Sequence, residues 1–209
     1  VKHHSTVKTD NAHLDAKIAL RRWALDARGW TSVSVLDLCA GAGYIWSAMR
    51  EHVTVTDYLS VDKVPRMATT IKAEAVDAAR SLDVSRFDVI DIDTYGEPWE
   101  ILFALAPRLR RRPVVVYLTC GQLGQSISPS LATMRLAGIP RAWGYVPHQR
   151  ELVAWLNAQA PSHLWATHTI KRAGRIVFPR VTYQALLLDP LSLSITRIPR
   201  GPASARIDA

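Results

Sequence analysis

VLDLCAGAGY, residues 35–44, is an apolar strand that runs directly into a turn with two glycines and then into the start of a helix. Gly41 and Gly43 belong where backbone must approach a ligand closely and a side chain would fill the space. Taken alone, a G-x-G fits a plain tight turn equally well. Two acids add meaning. Asp37 sits near the end of the strand, placed to orient the turn or to meet a cationic group. Asp62 closes the following strand, 19 residues beyond Gly43, about where an acid grips a pair of ribose hydroxyls.

Outward from this turn the chain alternates strands and helices. A helical pattern runs from Asn11 to Gly29, with Leu14, Ile18 and Leu25 as its apolar stripe and Lys17, Arg21, Arg22 and Arg28 off that stripe. Strands are expected at 33–38, 53–62, 70–76, 87–93 and 113–120. Helices are expected at 44–51 and 98–109, and two more near 130–138 and 148–159. The last two strands, at 165–172 and 183–189, are joined without a helix around Gly174 and should form an antiparallel hairpin. Alternation of this kind implies right-handed crossovers. The expected fold is α/β, a Rossmann-like, doubly wound, mostly parallel seven-stranded sheet with an antiparallel C-terminal hairpin. Residues 1–11 read as a flexible arm, 12–190 as a single domain and 191–209 as a flexible tail.

With 209 residues, 48% of them hydrophobic, and a mean hydropathy of +0.02, the chain can bury a full core. No apolar run nears the roughly 20 residues of a membrane helix, and VKHHSTVKTDN has no apolar signal region. A cytoplasmic protein is the expectation. Two cysteines, Cys39 and Cys120, are too few for a disulfide framework or a zinc site, so no metal is expected. A net charge of +8 and a pI near 9.9 favour a polyanionic partner, RNA or DNA. A third glycine of the dinucleotide fingerprint is missing, because position 46 is Trp; pyrophosphate binding is disfavoured.

VLDLCAGAGY resembles motif I of the class I S-adenosylmethionine-dependent methyltransferases, hh(D/E)hGxGxG, with Ala40 where that pattern has its first glycine. The resemblance implies S-adenosylmethionine as the methyl donor and Asp62 as the acid on its ribose. It implies Asp77, in AEAVDAARSL, near the adenine amino group, although a solvated helix N-cap fits that residue as well. Asp37, Cys39, Ala40, Gly41, Gly43, Lys63 and Asp91 complete the expected donor site, Cys39 being equally well explained as packing. The closing hairpin matches the reversed seventh strand of these enzymes.

The acidic strand FDVIDID (87–93) ends where such enzymes hold their catalytic motif. Asp88 opens the strand and is expected to be solvated on the far side. Asp91 and Asp93 share a face. DIDTYGEP resembles the D-P-F-G segment of tRNA guanine-N2 dimethyltransferases, with Thr94 in place of the proline. The resemblance implies Asp93 as the carboxylate that aligns an acceptor amine and Tyr95 as the ring stacked on a flipped base. The whole pattern is also similar to small methyltransferase-like proteins of phages and bacteria. VVYLTCGQ in turn resembles the Y-x-(S/T)-C segment of pyrimidine-C5 RNA methyltransferases, which implies Cys120 as an alternative nucleophile. A non-catalytic nucleic-acid- or partner-binding protein on the same fold is the other alternative.

By topology RLRRR (108–112) precedes a strand and lies at the end of the sheet away from the donor, as a solvated loop or a remote backbone contact. KRAGR (171–175) falls on the donor side. Lys171, Arg172 and Arg175 are the candidates for phosphate contacts, with RNA favoured over DNA. Lys63 and Arg66 lie on the same rim. Trp143, Tyr145 and His148 are candidates for a stacking or acceptor pocket. Asn11, His13 and Lys17 are candidates to meet donor or acceptor, with solvated positions as the plainer account.

Overall fold

A computed structural model of the chain describes residues 13–94, 98–105, 108–109, 112–121, 164–171 and 180–188. Helix α1 (Leu14–Arg28) leads into β1 (Ser32–Asp37), α2 (Tyr44–Met49), β2 (Thr54–Asp62), β3 (Ile71–Lys72) and α3 (Ala75–Ser81). Then come β4 (Val89–Ile92), α4 (Trp99–Leu105), β5 (Val114–Gly121), β6 (Leu164–Lys171) and β7 (Arg180–Leu188). The seven strands form one sheet in the order β3-β2-β1-β4-β5-β7-β6. All pairings from β3 to β5 are parallel, and β7 runs antiparallel to both β5 and β6. The α/β sheet with an antiparallel C-terminal pair is as expected.

The strand order reverses between β1 and β4, the point at which sheets of this kind hold a ligand crevice outside the carboxyl ends of the strands. The strand expected at 70–76 shrinks to two residues, because Ala75–Ser81 is taken by α3. The helices expected at 130–138 and 148–159, and Trp143, Tyr145 and His148, lie outside the described residues. So do Asn11, the 1–11 arm and the 191–209 tail.

Strand alternation splits the core into two layers. Leu36, Ile90, Ile92, Val116 and Leu186 face α3 and α4, with Trp99, Leu102 and Leu105 packed on them. Val33, Val35, Val89, Val115 and Tyr117 face α1 and α2, against Leu20, Ala24, Trp46 and Met49. Asp91 follows Val89 by two residues, so it points into this second layer. The buried face of α1 is therefore not the one expected. Lys17 and Arg21 lie on it together with Leu20, Ala24 and Leu25, whereas Leu14 and Ile18 are only half-buried. Carboxylates set in an apolar layer must be met by cations, and that demand rotates the helix.

At the amino ends of the parallel strands the basic run is used internally. Arg108 donates from Nη1 to the Ala79 carbonyl at 2.6 Å and from Nη2 to the Leu82 carbonyl at 2.5 Å. It thereby satisfies carbonyls that the end of α3 leaves open. Arg112 pairs with Asp88. The Asp88 carboxylate also accepts the Ser34 N–H at 2.7 Å, and the Asp88 N–H donates to Ser34 Oγ at 3.0 Å. Asp88 is thus half-buried and tied to β1 and to Arg112, not solvated. Replacing Arg108 with Met should lower unfolding stability by about 1–2 kcal/mol, the loss of two charge-assisted bonds at a half-buried site. Urea denaturation checks this; an unchanged midpoint would show that the clamp contributes nothing.

Candidate active site

The crevice is built around carboxylates. Asp37 and Asp91 are register partners on adjacent parallel strands, so their side chains stand beside each other on one face. Asp91 is held by three donors. Arg21 contributes Nε to Oδ2 at 2.8 Å and Nη2 to Oδ1 at 2.6 Å, a bidentate pair. Trp46 Nε1 donates to Oδ2 at 2.7 Å. The side chains of Arg21 and Asp91 are 2% and 1% exposed. Arg21 further donates to the Lys17 carbonyl at 2.9 Å, lies over the Tyr117 ring at 4.9 Å, and its own carbonyl accepts the Tyr117 hydroxyl at 3.0 Å. Burial opposes its charge, but the attraction of Asp91 more than offsets that and raises its pKa.

One strand step further, Asp93 Oδ2 accepts Lys17 Nζ at 2.6 Å, the two side chains being 16% and 9% exposed. Asp93 Oδ1 is buried without a hydrogen-bond partner among the described residues. Lys17 Nζ also stands 5.7 Å above the Tyr183 ring, against whose edge His13 packs at 6.4 Å. His13 has φ 69°, the only positive φ among the described non-glycine residues, so α1 starts from a left-handed residue beside this cluster. Thr94, which stands where the resemblance has proline, donates its hydroxyl to the Thr119 carbonyl at 3.0 Å. The substitution ties the exit of β4 to β5.

The glycine turn closes the other side. Gly41 and Gly43 have φ 54° and 72°, a region that favours glycine. A Cβ on Gly43 would come within 2.6 Å of Met67 Sδ. Gly41 N–H donates to Asp62 Oδ2 at 2.7 Å, and Val64 N–H to Oδ1 at 2.7 Å. Ala40 needs no glycine, since its φ is not positive; its N–H donates to the Val61 carbonyl at 3.1 Å. Asp37 accepts the Tyr58 hydroxyl at 2.9 Å. Burial, reinforced by Asp91, pushes the Asp37 pKa well above the usual carboxylate range, while the Tyr58 bond pulls it back in part. Burial and then the negative charge of Asp37 raise the Cys39 thiol, so it stays protonated and poorly nucleophilic.

Of the residues expected from sequence, Asp37, Cys39, Ala40, Gly41, Gly43, Asp62 and Asp93 lie at this end of the sheet, whereas Asp91, expected at the donor, is 1% exposed and has both oxygens taken by Arg21 and Trp46. Lys63 forms an exposed pair with Glu74 at 2.6 Å. Asp77 is exposed in the first turn of α3, 3.7 Å from Arg80, and the N-cap position belongs to Glu74. Lys171 ends β6 opposite Arg180, on the crevice side. Tyr95, Arg172 and Arg175 lie outside the described residues, as does the side chain of Cys120. Arg21, Trp46, Tyr58 and Tyr183 were not anticipated as site residues. One signal for Arg21 was available. Cations four apart on a helix are about 6 Å apart along its axis, a near match to acids two apart on a strand, about 6.6 Å.

No protein-family profile matches the chain, and no curated protein does. Among solved structures it is similar to the plantazolicin methyltransferase BamL in complex with a triazolic desmethylPZN analogue and SAH. That match has 12% identity, a TM-score of 0.55 and coverage of 84% of each chain. It is also similar to the plantazolicin methyltransferase BpumL, at 13% identity and a TM-score of 0.54, covering 87% of this chain and 86% of that one. Trm1 from Pyrococcus horikoshii, solved with S-adenosyl-L-methionine, matches at 15% identity and a TM-score of 0.49, over 85% of this chain and 55% of that one. The fold is that of the class I methyltransferases.

Two measurements probe the site. Gly43→Ala should lose about 1–2 kcal/mol of stability through the left-handed φ, with displacement of Met67; a denaturant midpoint equal to wild type would contradict this. Asp37 has a raised folded-state pKa, so its stabilising contribution is complete below the ordinary carboxylate range and is lost as pH rises through the raised value. Asp37→Asn should therefore melt progressively higher than wild type as pH rises above the ordinary carboxylate range. A constant difference as pH rises would show that Asp37 does not titrate with folding.

Proposed function

We propose that the protein is an S-adenosylmethionine-dependent methyltransferase acting on an amino group of a nucleic-acid base, RNA more than DNA. The observation that carries the acceptor side is the buried, unpartnered Asp93 Oδ1 at the carboxyl end of β4. An N–H from the acceptor would complete it, aligning the nitrogen lone pair. Support for the donor side lies in the glycine turn, with positive φ at Gly41 and Gly43, and in Asp62. Its two oxygens are fixed by backbone N–H groups yet retain lone pairs for ribose hydroxyls.

When bound, the donor would supply a methyl group activated on a sulfonium, with the thioether sulfur as the leaving group that keeps the bonding pair. The chain's own part is to orient. Asp37, Gly41, Gly43 and Asp62 position the donor, and Asp93 fixes the acceptor, so in-line geometry accounts for most of the acceleration. Asp93 Oδ1 then receives the proton that the methylated nitrogen releases and passes it to solvent. Tyr95 stacks on the base, and Lys171, Arg172 and Arg175 take backbone phosphates, in keeping with the net charge of +8.

Cys120, near the end of β5 on the same rim, gives the pyrimidine-C5 route as a second reading. Transfer of tritiated methyl into total RNA, DNA, protein and metabolite fractions tests both. Label should enter RNA, Asp93→Asn should cut turnover by about 10²–10³ with donor affinity kept within a few-fold, and Cys120→Ala should leave turnover unchanged. Label confined to protein or metabolites, or no donor binding at millimolar concentration by calorimetry, would defeat the proposal.

A further inference from the structure

We propose that Lys17 makes this site select an uncharged N–H donor over an ammonium, by neutralising Asp93 before the acceptor arrives. The inference rests on the reading of Asp93 as the acceptor-binding carboxylate and deepens it to a class of acceptor. Two features carry it. Lys17 Nζ is bonded to Asp93 Oδ2 at 2.6 Å in a largely buried pair, and Asp93 Oδ1 is the oxygen left unpartnered among the described residues.

An unpaired carboxylate at the mouth of a crevice attracts cations. An aliphatic amine, with a pKa of about 10.4, arrives at neutral pH as an ammonium whose lone pair is occupied by a proton. A bare Asp93 would hold it in that unreactive form. With Lys17 on Oδ2, a second cation on Oδ1 would sit within a few ångströms of the first, in a site that screens charge poorly. The neighbouring charges give little relief, because Asp91 is already matched by Arg21 and burial favours the neutral form of Asp37. An amino group on an aromatic ring is uncharged at neutral pH and offers Oδ1 an N–H without bringing a charge. Tyr183 keeps Lys17 in place from behind, with Nζ over its ring.

The test uses the full chain saturated with S-adenosylhomocysteine and two probes, propylammonium and cytosine, each titrated and followed by amide chemical shifts. Wild type should bind cytosine and discriminate against propylammonium. Lys17→Met should move the ratio of the two affinities toward propylammonium by about tenfold or more, and Lys17→Arg should keep the wild-type ratio. The isoelectric double variant Lys17→Met/Asp93→Asn should lose the gain, and it serves if Lys17→Met alone folds poorly. Equal ratios in wild type and Lys17→Met, a wild-type preference for propylammonium, or no binding of either probe to either protein would overturn the proposal. Failure of the underlying reading has a separate signature: cytosine would bind wild type and Asp93→Asn with the same affinity.

Discussion

The contact between α1 and the end of β4 is the constraint on which the crevice depends. Two acids in the apolar layer between sheet and helices would be unsustainable unpaired, and Arg21 and Lys17 meet them one to one. The match is metric as well as electrical. A helical spacing of four and a strand spacing of two advance by nearly the same length, so one straight helix reaches both carboxylates. Pairs of this kind add little net stability over well-packed apolar residues. Breaking one is another matter, since the orphaned charge costs about 3–5 kcal/mol. The arrangement therefore fixes where α1 sits more than how stable the domain is.

The glycine turn shows how this chain absorbs its departures from the motif it resembles. Ala40 sits where the backbone does not require glycine, and Gly41 and Gly43 occupy the positions with positive φ. Trp46, which removes a dinucleotide fingerprint, is turned inward as a donor to Asp91. Thr94 replaces a proline and supplies a hydroxyl that anchors the exit of β4 to β5. Trp46 and Thr94 each trade a backbone device for a side-chain bond.

Strand alternation and the glycine turn were legible in the sequence because both depend on local periodicity. The acids at 37, 62, 91 and 93 were legible because topology alone delivers strand ends to one rim. Partners were not. Lys17 and Arg21 looked like a solvated face, since a hydrophobic stripe assumes that helices bury apolar residues, and here the sheet offered acids. Asp88 looked exposed because its partners, Ser34 and Arg112, are far from it in sequence. The two-residue β3 gave way to α3 because a run of Ala and Val in KAEAVDAARS fits either element.

The fate of the cations at the two ends of the sheet bears on how the protein would respond to ionic strength. Lys17, Arg21, Arg108 and Arg112 are each engaged with carboxylates or helix-end carbonyls. They are drawn from the 26 lysines and arginines that make the chain basic. A cation locked in this way displaces no counterions from a polyanion, so it adds nothing to the slope of log affinity against log salt. That slope would report only the outward-facing cations, and the count of 26 basic residues overstates the electrostatic grip this molecule can exert.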